Sequence, residues 1–266
     1  MFHRNPHSKL DCGEGPPILQ KQMKDFVKRR IRDAGYRVSR LRPENRFDAM
    51  EGTLQSLRRM AYQPRIIIDA GANQGNWTRM AMRLFPEARI HLIEPQPACH
   101  EVLRSLVEGH AKLTLHECAL TRPGISSVRM TGLGGDGSGA WVLAEGESAA
   151  ETIECPASTL DELFAGKFSS EHRCLLKLDM ERHEWTALQG AERLLESVEV
   201  IITEVQFFGL NSFPVFADIL DRVRESDFDL FDIAALAPRL RDGRLRSGDV
   251  VFVRRGSPLT LDVIWS

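Results

Sequence analysis

The 266-residue sequence lacks the features that mark several large classes of protein. No uncharged apolar run approaches the ~20 residues that a bilayer span requires, and the N-terminus lacks the apolar segment of a secretory signal peptide. The formal net charge is only -2, so the chain as a whole has no strong attraction for polyanions such as nucleic acid. We therefore expect a cytoplasmic globular protein that is neither secreted nor membrane-spanning.

The cysteine pattern lacks the spacing of a zinc site or of a redox pair. There is no C-x-x-C, and no cysteine has a nearby histidine at zinc spacing. Hydrophobic residues make up 42% and charged residues 27% of the chain, which is typical of a globular protein with one sizeable core. We predict one domain with extensions and reduced thiols at Cys12, Cys99, Cys118, Cys155 and Cys174.

The first 63 residues differ in pattern from the rest of the chain. Residues 1–20 mix Pro, Gly and charge without periodicity, and we predict a mobile segment there. Residues 21–42 predict a basic amphipathic helix, and a second helix is predicted at about Phe47–Tyr62. We interpret residues 21–63 as a helical extension packed on the core. A basic helix can alternatively lie on the inner face of a membrane or bind a polyanionic substrate.

From residue 64 onwards, short apolar strands alternate with amphipathic helices. The helices are predicted at residues 77–85, 98–107, 184–196 and 213–225. Such alternation predicts a parallel sheet with helices on both faces and a ligand site at the carboxyl ends of the strands. The strands are predicted at residues 65–70, 89–94, 112–117, 174–179 and 198–205.

Two segments depart from this alternation. Residues 126–159 contain two strand-like runs around a glycine-rich loop, Gly132–Gly139, which is either a lid over a ligand or a simple hairpin connection. Near the C-terminus, Phe228–Ala234 and Asp249–Arg255 predict an antiparallel hairpin. A mostly parallel seven-stranded sheet closed by such a hairpin is the Rossmann-like α/β fold of class I methyltransferases. We assign this fold to residues 64–256 and a tail to residues 257–266.

The first strand leads directly into the turn Asp69-Ala-Gly71-Ala-Asn73-Gln-Gly75, and a helix begins at about Asn76. Glycines allow positive φ and close approach of a ligand, and the free amides at the helix start face that ligand. A dinucleotide would require G-x-G-x-x-G, whereas this turn reads D-x-G-x-N-x-G. Because the carboxylate of Asp69 suits an ammonium group, the spacing favours S-adenosylmethionine as the cofactor.

The next two strand ends supply further contacts expected of a nucleoside. Glu94 ends the second strand, where its carboxylate can accept hydrogen bonds from both ribose hydroxyls. After the third strand, Cys118, Ala119 and Leu120 can offer adenine an apolar wall and backbone groups. The alternative is that the glycines are ordinary turn residues and Glu94 is a surface carboxylate.

Together these motifs resemble the FkbM family of methyltransferases over about Ile66–Arg254. The resemblance rests on IIIDAGANQGNW, IEPQP, ECAL, TLDEL, LLKLDMERHEW and IITEV. It implies S-adenosylmethionine and methyl transfer to oxygen, often a hydroxyl of a sugar, glycolipid or polyketide. The family usually reads D-x-E-G-x-E after the fourth strand, and here Arg182 stands at the glycine position. If that residue has a positive φ, the arginine costs about 1 kcal/mol.

Candidate catalytic residues follow the fourth and fifth strands. Methyl transfer to an alcohol needs alignment of the acceptor oxygen and a base for its proton. Asp179, Glu181, His183 and Glu204 are the candidates, and His183 has the unperturbed pKa best suited to a base. The three carboxylates can alternatively bind Mg²⁺, hold substrate hydroxyls or, as Asp179 does in our interpretation, contact the cofactor. The metal therefore stays unassigned.

Three rival interpretations remain. A nucleotide-dependent oxidoreductase would need the pyrophosphate spacing that the turn lacks. A non-catalytic nucleoside-binding protein is compatible with Arg182. A nucleic-acid methyltransferase is compatible with the basic helix, but no N-P-P-Y-type motif for a flipped base follows the fourth strand, so a small-molecule or glycan acceptor fits better.

Trp141, Phe207 and Phe208 can stack on a sugar or pack in the core.

Overall fold

The computed structural model describes Arg30 and residues 45–131, 139–143, 147–209 and 213–261. The chain divides into two units at residue 45, and the fold below is that of the second unit. The predicted helix at residues 21–42 lies outside the described residues, except for Arg30, which is helical. Residues 1–20, including Cys12, and most of the loop Gly132–Gly139 also lie outside them.

The second unit contains seven α-helices and eleven strands among its described residues, with 3₁₀ turns at Ser170–His172 and Pro258–Thr260. In chain order the elements are α1 (Arg46–Arg59), β1 (Ile66–Ala70), α2 (Asn76–Leu84), β2 (Arg89–Ile93), α3 (Pro97–Glu108), β3 (Leu113–His116), β4 (Ala119–Leu120), β5 (Ser127–Thr131), β6 (Trp141–Val142), β7 (Ile153–Ser158), α4 (Leu160–Phe164), β8 (Cys174–Leu178), α5 (Glu184–Gln189), α6 (Glu192–Leu195), β9 (Val198–Gln206), α7 (Phe216–Glu225), β10 (Phe228–Leu236) and β11 (Ser247–Arg254).

Seven strands form the main sheet in the order β10-β11-β9-β8-β1-β2-β3. Strands β3, β2, β1, β8 and β9 run parallel, whereas β11 is antiparallel to both β9 and β10. The predicted fold class is therefore confirmed, including the C-terminal antiparallel hairpin. Because the five parallel strands share one direction, their carboxyl ends meet at one edge of the sheet.

The segment that interrupts the alternation forms a second sheet. It has four strands in the order β4-β7-β5-β6. A small apolar cluster lies at this sheet and includes Met130, Ala140 and Cys155. The sheet contributes residues of β5 and β6 to the edge at which the parallel strands end, as described below.

The main sheet separates two apolar cores, as the period of two along a strand requires. In β1, Ile67 belongs to one core and Ile66 and Ile68 to the other. Helices α1, α2 and α3 cover the first face, and helices α4 to α7 cover the second. Helix α1 begins after Asn45, whose side chain accepts a 2.8 Å hydrogen bond from the backbone N–H of Asp48.

Two predicted helices differ in detail from the observed ones. The helix predicted at residues 184–196 is divided into α5 and α6 at Gly190, where a Cβ would collide with the carbonyl oxygen of Thr121. Close packing of the backbone therefore requires glycine at the position where the predicted continuous helix divides. The last predicted helix begins at Phe216 rather than at residue 213.

The described part of the chain also tests the expectations about membranes and thiols. None of its helices is long and apolar enough to cross a bilayer. Four cysteines are free thiols, namely Cys99, Cys118, Cys155 and Cys174.

Candidate active site

A cavity of about 260 Å³ lies at the carboxyl ends of the parallel strands, and we call it the turn cavity. Its walls come from the turn after β1, the end of β2, the residues after β3, and the turn after β8, with β5 and β6 beside them. Nine residues that the sequence marks as candidates line it together: Gly71, Asn73, Glu94, Cys118, Ala119, Leu120, Asp179, Glu181 and His183.

The turn after β1 adopts a conformation that its glycines and asparagine allow. Gly71, Asn73 and Gly75 all have positive φ, at 78°, 48° and 77°. A Cβ on Gly71 would collide with the carbonyl oxygen of Asp179, and the N–H of Asp179 donates to the carbonyl oxygen of Ala70 at 3.1 Å. The turns after β1 and β8 are thus in direct backbone contact, which only glycine at position 71 permits.

Glu94 is a buried carboxylate in the wall of the turn cavity, with a residue exposure of 2%. Its Oε2 accepts a 2.7 Å hydrogen bond from the N–H of Asn73, and its Oε1 accepts a 3.0 Å bond from the N–H of Gln96. Burial raises the pKa of Glu94, whereas the two backbone donors lower it. Since each carboxylate oxygen can accept a second hydrogen bond, Glu94 can bind two hydroxyls of a ribose.

Asp69 lies beneath the turn and does not line the turn cavity. Its side chain is fully buried, and its Oδ2 accepts a 2.6 Å hydrogen bond from Thr78 Oγ1. Lys177 Nζ lies 3.0 Å from Asp69 Oδ1 and donates to the carbonyl oxygen of Gly71 at 3.0 Å. Asp69 therefore acts on the turn through Thr78 and Lys177, and the predicted direct contact with the cofactor ammonium has no open path in this conformation.

Two further candidates of the turn also lie away from the turn cavity. Gly75 precedes α2 and packs against Leu103 and Leu106 of α3, so that a Cβ there would lie 2.9 Å from Leu106 Cδ2. Asn76 is the first residue of α2 and is exposed to solvent. Both residues shape the start of α2.

The turn after β8 is strained at two non-glycine residues. Glu181 has φ 51° and Arg182 has φ 77°, so the arginine at the usual glycine position does have the left-handed conformation considered above. The Arg182 guanidinium lies 4.8 Å from the ring centroid of Phe213 and 5.8 Å from that of Trp141. These two cation–π contacts offset part of the strain and join the β8 turn to β6.

Burial changes the proton affinities of two neighbouring residues in opposite directions. Burial lowers the pKa of His183 to about 4, and its Nε2 has no hydrogen-bond partner among the described residues. His183 is therefore neutral at pH 7 but a weak base. Burial raises the pKa of Glu184 to about 8, although its Oε1 accepts a 2.7 Å bond from the N–H of Met180.

Glu204 belongs to a charged cluster that meets the turn cavity through Arg46. The Arg46 guanidinium donates two 2.6 Å hydrogen bonds to Asp249, and its Nη2 lies 3.2 Å from Glu204 Oε1. Burial and the charge of Asp179 raise the pKa of Glu204 to about 7, while Arg46 opposes them. Glu204 itself does not line the turn cavity, so it acts on the site through Arg46.

The remaining candidates have roles in packing or stay open. Phe207 packs against Phe216 at a centroid distance of 6.1 Å, and Phe208 lies under the guanidinium of Arg244.

Across the described ranges, no three His, Cys, Asp or Glu side chains form a group that could hold a metal ion. The carboxylates Asp179, Glu181 and Glu204 thus gain no support as a metal site.

Sequence reasoning missed Lys177 and Arg46. Lys177 is the one charged residue inside the apolar run CLLKL, and a lone charge in a buried strand is a signal that was available. Arg46 gave no such signal, because it meets Asp249 across 203 residues of sequence.

Comparison with known proteins identifies one family. The model of the Methyltransferase FkbM domain matches residues 69–230, which is more than half of the chain. No curated protein matches the chain.

Solved structures with similar folds share little sequence with this chain. The methyltransferase FkbM from Methylobacillus flagellatus KT is 15% identical, with a TM-score of 0.45, over 71% of this chain and 43% of that one. This chain thus spans less than half of that protein's length. The 1,6-didemethyltoxoflavin-N1-methyltransferase from Burkholderia thailandensis, solved with S-adenosylhomocysteine, is 13% identical with a TM-score of 0.42, over 92% and 93% of the two chains. The precorrin-6y C5,15-methyltransferase from Geobacter metallireducens GS-15 is 13% identical with a TM-score of 0.44, over 84% and 94%.

The residues of the turn cavity fit the cofactor that this family uses. Glu94 offers a buried carboxylate for a ribose, and Cys118, Ala119 and Leu120 form the wall expected for adenine. The turn at Gly71 brings backbone groups to the same cavity. On the family match over residues 69–230, this chain belongs to the FkbM family of S-adenosylmethionine-dependent methyltransferases.

Proposed function

We propose that the protein transfers a methyl group from S-adenosylmethionine to a hydroxyl oxygen of a sugar, glycolipid, polysaccharide or polyketide-type acceptor. One observation carries the proposal: Glu94, Asp179 and Glu181 line the same cavity. A nucleoside-type carboxylate and two carboxylates that can accept a proton thus line one cavity. Such a cavity can bring the hydroxyl of an acceptor next to a bound methyl donor.

The chain holds the cofactor with the groups of the turn cavity. Glu94 accepts the ribose hydroxyls, the backbone around Gly71 and Asn73 faces the aminoacyl end, and Cys118 to Leu120 enclose the adenine. S-adenosylmethionine supplies an electrophilic methyl group when it is bound. The Asp69–Lys177 pair keeps the glycine turn in its conformation from beneath.

Asp179 is the residue that we assign as the base for the acceptor hydroxyl. Its side chain is 37% exposed and lines the turn cavity, so a ligand can reach its carboxylate. Partial burial and the charge of Asp179 raise the pKa of Glu181, so Glu181 retains a proton to a higher pH than an ordinary glutamate. His183 is the weaker candidate, since burial lowers its pKa to about 4.

Calorimetric titration with S-adenosylmethionine and with NADH tests the cofactor assignment. We expect binding of S-adenosylmethionine alone, abolished in Glu94→Ala and weakened in Asp69→Ala, where the turn loses its support. Binding of NADH, or of neither ligand, would contradict the proposal. Binding of S-adenosylmethionine without formation of S-adenosylhomocysteine across a panel of hydroxylated acceptors would favour the non-catalytic alternative.

Asp179→Asn tests the base. The amide keeps an oxygen that can accept hydrogen bonds but cannot take up a proton at neutral pH. We expect turnover to fall by about 10²–10⁴ while the Kd for S-adenosylmethionine changes by only a few-fold. His183→Gln serves as the comparison, and a larger loss of turnover in His183→Gln than in Asp179→Asn would transfer the role to the histidine.

A further inference from the structure

A second cavity of about 460 Å³ adjoins the turn cavity, and we call it the helix cavity. It lies where the first residues of α1 and Trp77 of α2 meet the end of β8, the middle of β9 and Asp249 of β11. Arg46 and Asp179 line both cavities and so form the partition between them. The residues proposed to contact the cofactor line the turn cavity. The helix cavity is lined by other residues, apart from the partition.

The walls of the helix cavity are mainly apolar. Met50, Trp77, Leu178 and Ile202 are buried side chains of the wall, and Phe47 is 44% exposed although it is a large apolar residue. An apolar wall of this kind lowers the free energy of a ligand that brings an apolar body out of water.

The charges on the wall cancel. Arg46 and Lys177 are cations, and Asp179 and Asp249 are anions. Arg46 is bound by Asp249 through two 2.6 Å hydrogen bonds, and Lys177 Nζ lies 3.7 Å from Asp179 Oδ2. A charged ligand would have to break one of these pairs or remain unpaired in a partly apolar space, which costs free energy. The wall therefore favours an uncharged ligand.

One donor on the wall residues has no partner. Trp77 is 7% exposed, and its Nε1 has no hydrogen-bond acceptor among the described residues. This nitrogen has almost no accessible surface, so a ligand in the helix cavity does not reach it. Trp77 therefore contributes apolar surface to the wall, and the polar contact available to a ligand hydroxyl is Asp179 at the partition.

We infer that the helix cavity is the acceptor site, and that it takes an uncharged molecule with an apolar body and hydroxyl groups. The inference rests on the proposed function and narrows its acceptor class. The acceptor places its apolar body between Phe47, Met50 and Trp77, and its reacting hydroxyl at the partition beside Asp179. A free sugar is too polar for this wall, and a fatty acid carries a charge that the wall does not match.

Three probes that differ in one property each test this inference. Hexyl β-D-glucoside has an uncharged hydroxylated head and an apolar tail, methyl β-D-glucoside lacks the tail, and hexanoate has the tail with a charge. We expect calorimetry on the full chain to detect hexyl β-D-glucoside, with a Kd at least about tenfold lower than that of either other probe. The same affinity, or a higher one, is expected when S-adenosylhomocysteine is present at saturation.

Two variants assign the binding to the helix cavity. Met50→Trp fills the cavity, and we expect it to weaken hexyl β-D-glucoside binding by about tenfold or more. Because Met50 is buried, this variant can fail to fold, and Phe47→Ala provides a second one at an exposed position. We expect a loss of about threefold or more for Phe47→Ala. Leu230→Ala removes an apolar side chain of similar exposure, 43%, that is not part of the cavity lining, and it should leave the affinity unchanged.

The outcomes separate this inference from the proposed function. Hexyl β-D-glucoside binding that is weakened in Phe47→Ala, weakened in Met50→Trp if that variant folds, and unchanged in Leu230→Ala supports the acceptor site. The inference is overturned by an absence of binding, by binding that both variants retain, by competition with S-adenosylhomocysteine, or by equal binding of hexanoate. In each of those cases the proposed function still stands if S-adenosylmethionine binds, Glu94→Ala abolishes that binding, and S-adenosylhomocysteine forms with a hydroxylated acceptor.

Discussion

Lys177 Nζ lies 3.0 Å from Asp69 Oδ1, and both residues are buried, with exposures of 4% and 0%. The two residues are also register partners on the adjacent parallel strands β8 and β1. The same ammonium donates to the carbonyl oxygen of Gly71. One buried ion pair thus connects the central strands of the sheet to the glycine turn of the cofactor site.

The pair predicts a large loss of stability when either partner is removed alone. Asp69→Asn leaves the buried Lys177 ammonium without its counter-ion. Lys177→Met likewise leaves the buried Asp69 carboxylate without its counter-ion. We expect each single variant to lower the free energy of unfolding by about 3–5 kcal/mol in urea titrations. The double variant Asp69→Asn/Lys177→Met removes both charges of the pair, so neither is left buried without a partner. We therefore expect the double variant to be more stable than either single variant. A double variant that loses the sum of the two single effects would show that the residues act independently.

We expect the carboxylate of Glu94 to contribute strongly to the affinity for S-adenosylmethionine. Glu94→Gln keeps the size of the side chain but replaces one acceptor oxygen with a donor, which opposes the N–H of Asn73 or that of Gln96. We expect the Kd for S-adenosylmethionine, measured by calorimetry, to rise by about tenfold or more, since hydrogen bonds to a charged group contribute about 1.5–3 kcal/mol. Glu117→Gln is the matched control, because Glu117 follows the next strand and is bound to Arg104 outside the turn cavity. An unchanged Kd in Glu94→Gln would remove Glu94 from the cofactor site.

Local sequence patterns were sufficient to predict much of this molecule. Short continuous apolar runs and the turn chemistry at Gly71 are properties of contiguous residues, and they gave the sheet, the hairpin and nine residues of the turn cavity. Glu94 was found because it directly follows a predicted strand, at the edge of the sheet where a ligand is expected. The fold and the cofactor side of the site follow from such short-range rules.

The remaining features depend on contacts that sequence proximity does not encode. The bond between Arg46 and Asp249 spans 203 positions, and the helix divides at Gly190, whose backbone packs closely against Thr121 of another segment. Asp69 was predicted to face the cofactor, but its position on the strand directs it to Lys177 beneath the turn. A carboxylate at a strand end can point to either face, and only packing decides which.

At position 182 we expect a glycine variant to be more stable than an alanine variant, which is the reverse of the order at an ordinary helical position. At φ 77° an alanine retains the strain of a left-handed residue, whereas a glycine does not. We expect Arg182→Gly to be more stable than Arg182→Ala by about 1 kcal/mol in urea unfolding. Arg193 in α6 is the control, because at its helical position alanine should be more stable than glycine by about 1 kcal/mol. The same order at both positions would contradict the strain at residue 182.

His91 and His116 make the fold sensitive to acid. Their Nδ1 and Nε2 atoms lie 3.1 Å apart on the neighbouring strands β2 and β3, and the His91 ring packs against Phe164 at a centroid distance of 5.0 Å. Burial, followed by the neighbouring His116, lowers the pKa of His91 to about 4, and burial also lowers the pKa of His116. The folded state therefore holds both rings neutral over a pH range in which the unfolded chain takes up protons.

This difference fixes the sign of the pH dependence. For His91 the stabilisation is complete above the unfolded pKa of about 6.5 and is lost as the pH falls from there towards the folded pKa of about 4. We expect the urea midpoint of the wild-type protein to fall between pH 7 and pH 5. In His91→Leu one of the two titrating rings is absent, so the decrease between the same two pH values should be smaller, even if the variant is less stable at pH 7. A buried histidine with a lowered pKa must make the urea midpoint fall as the pH decreases. Equal decreases of the midpoint in the wild type and in His91→Leu would therefore assign the acid sensitivity to other groups.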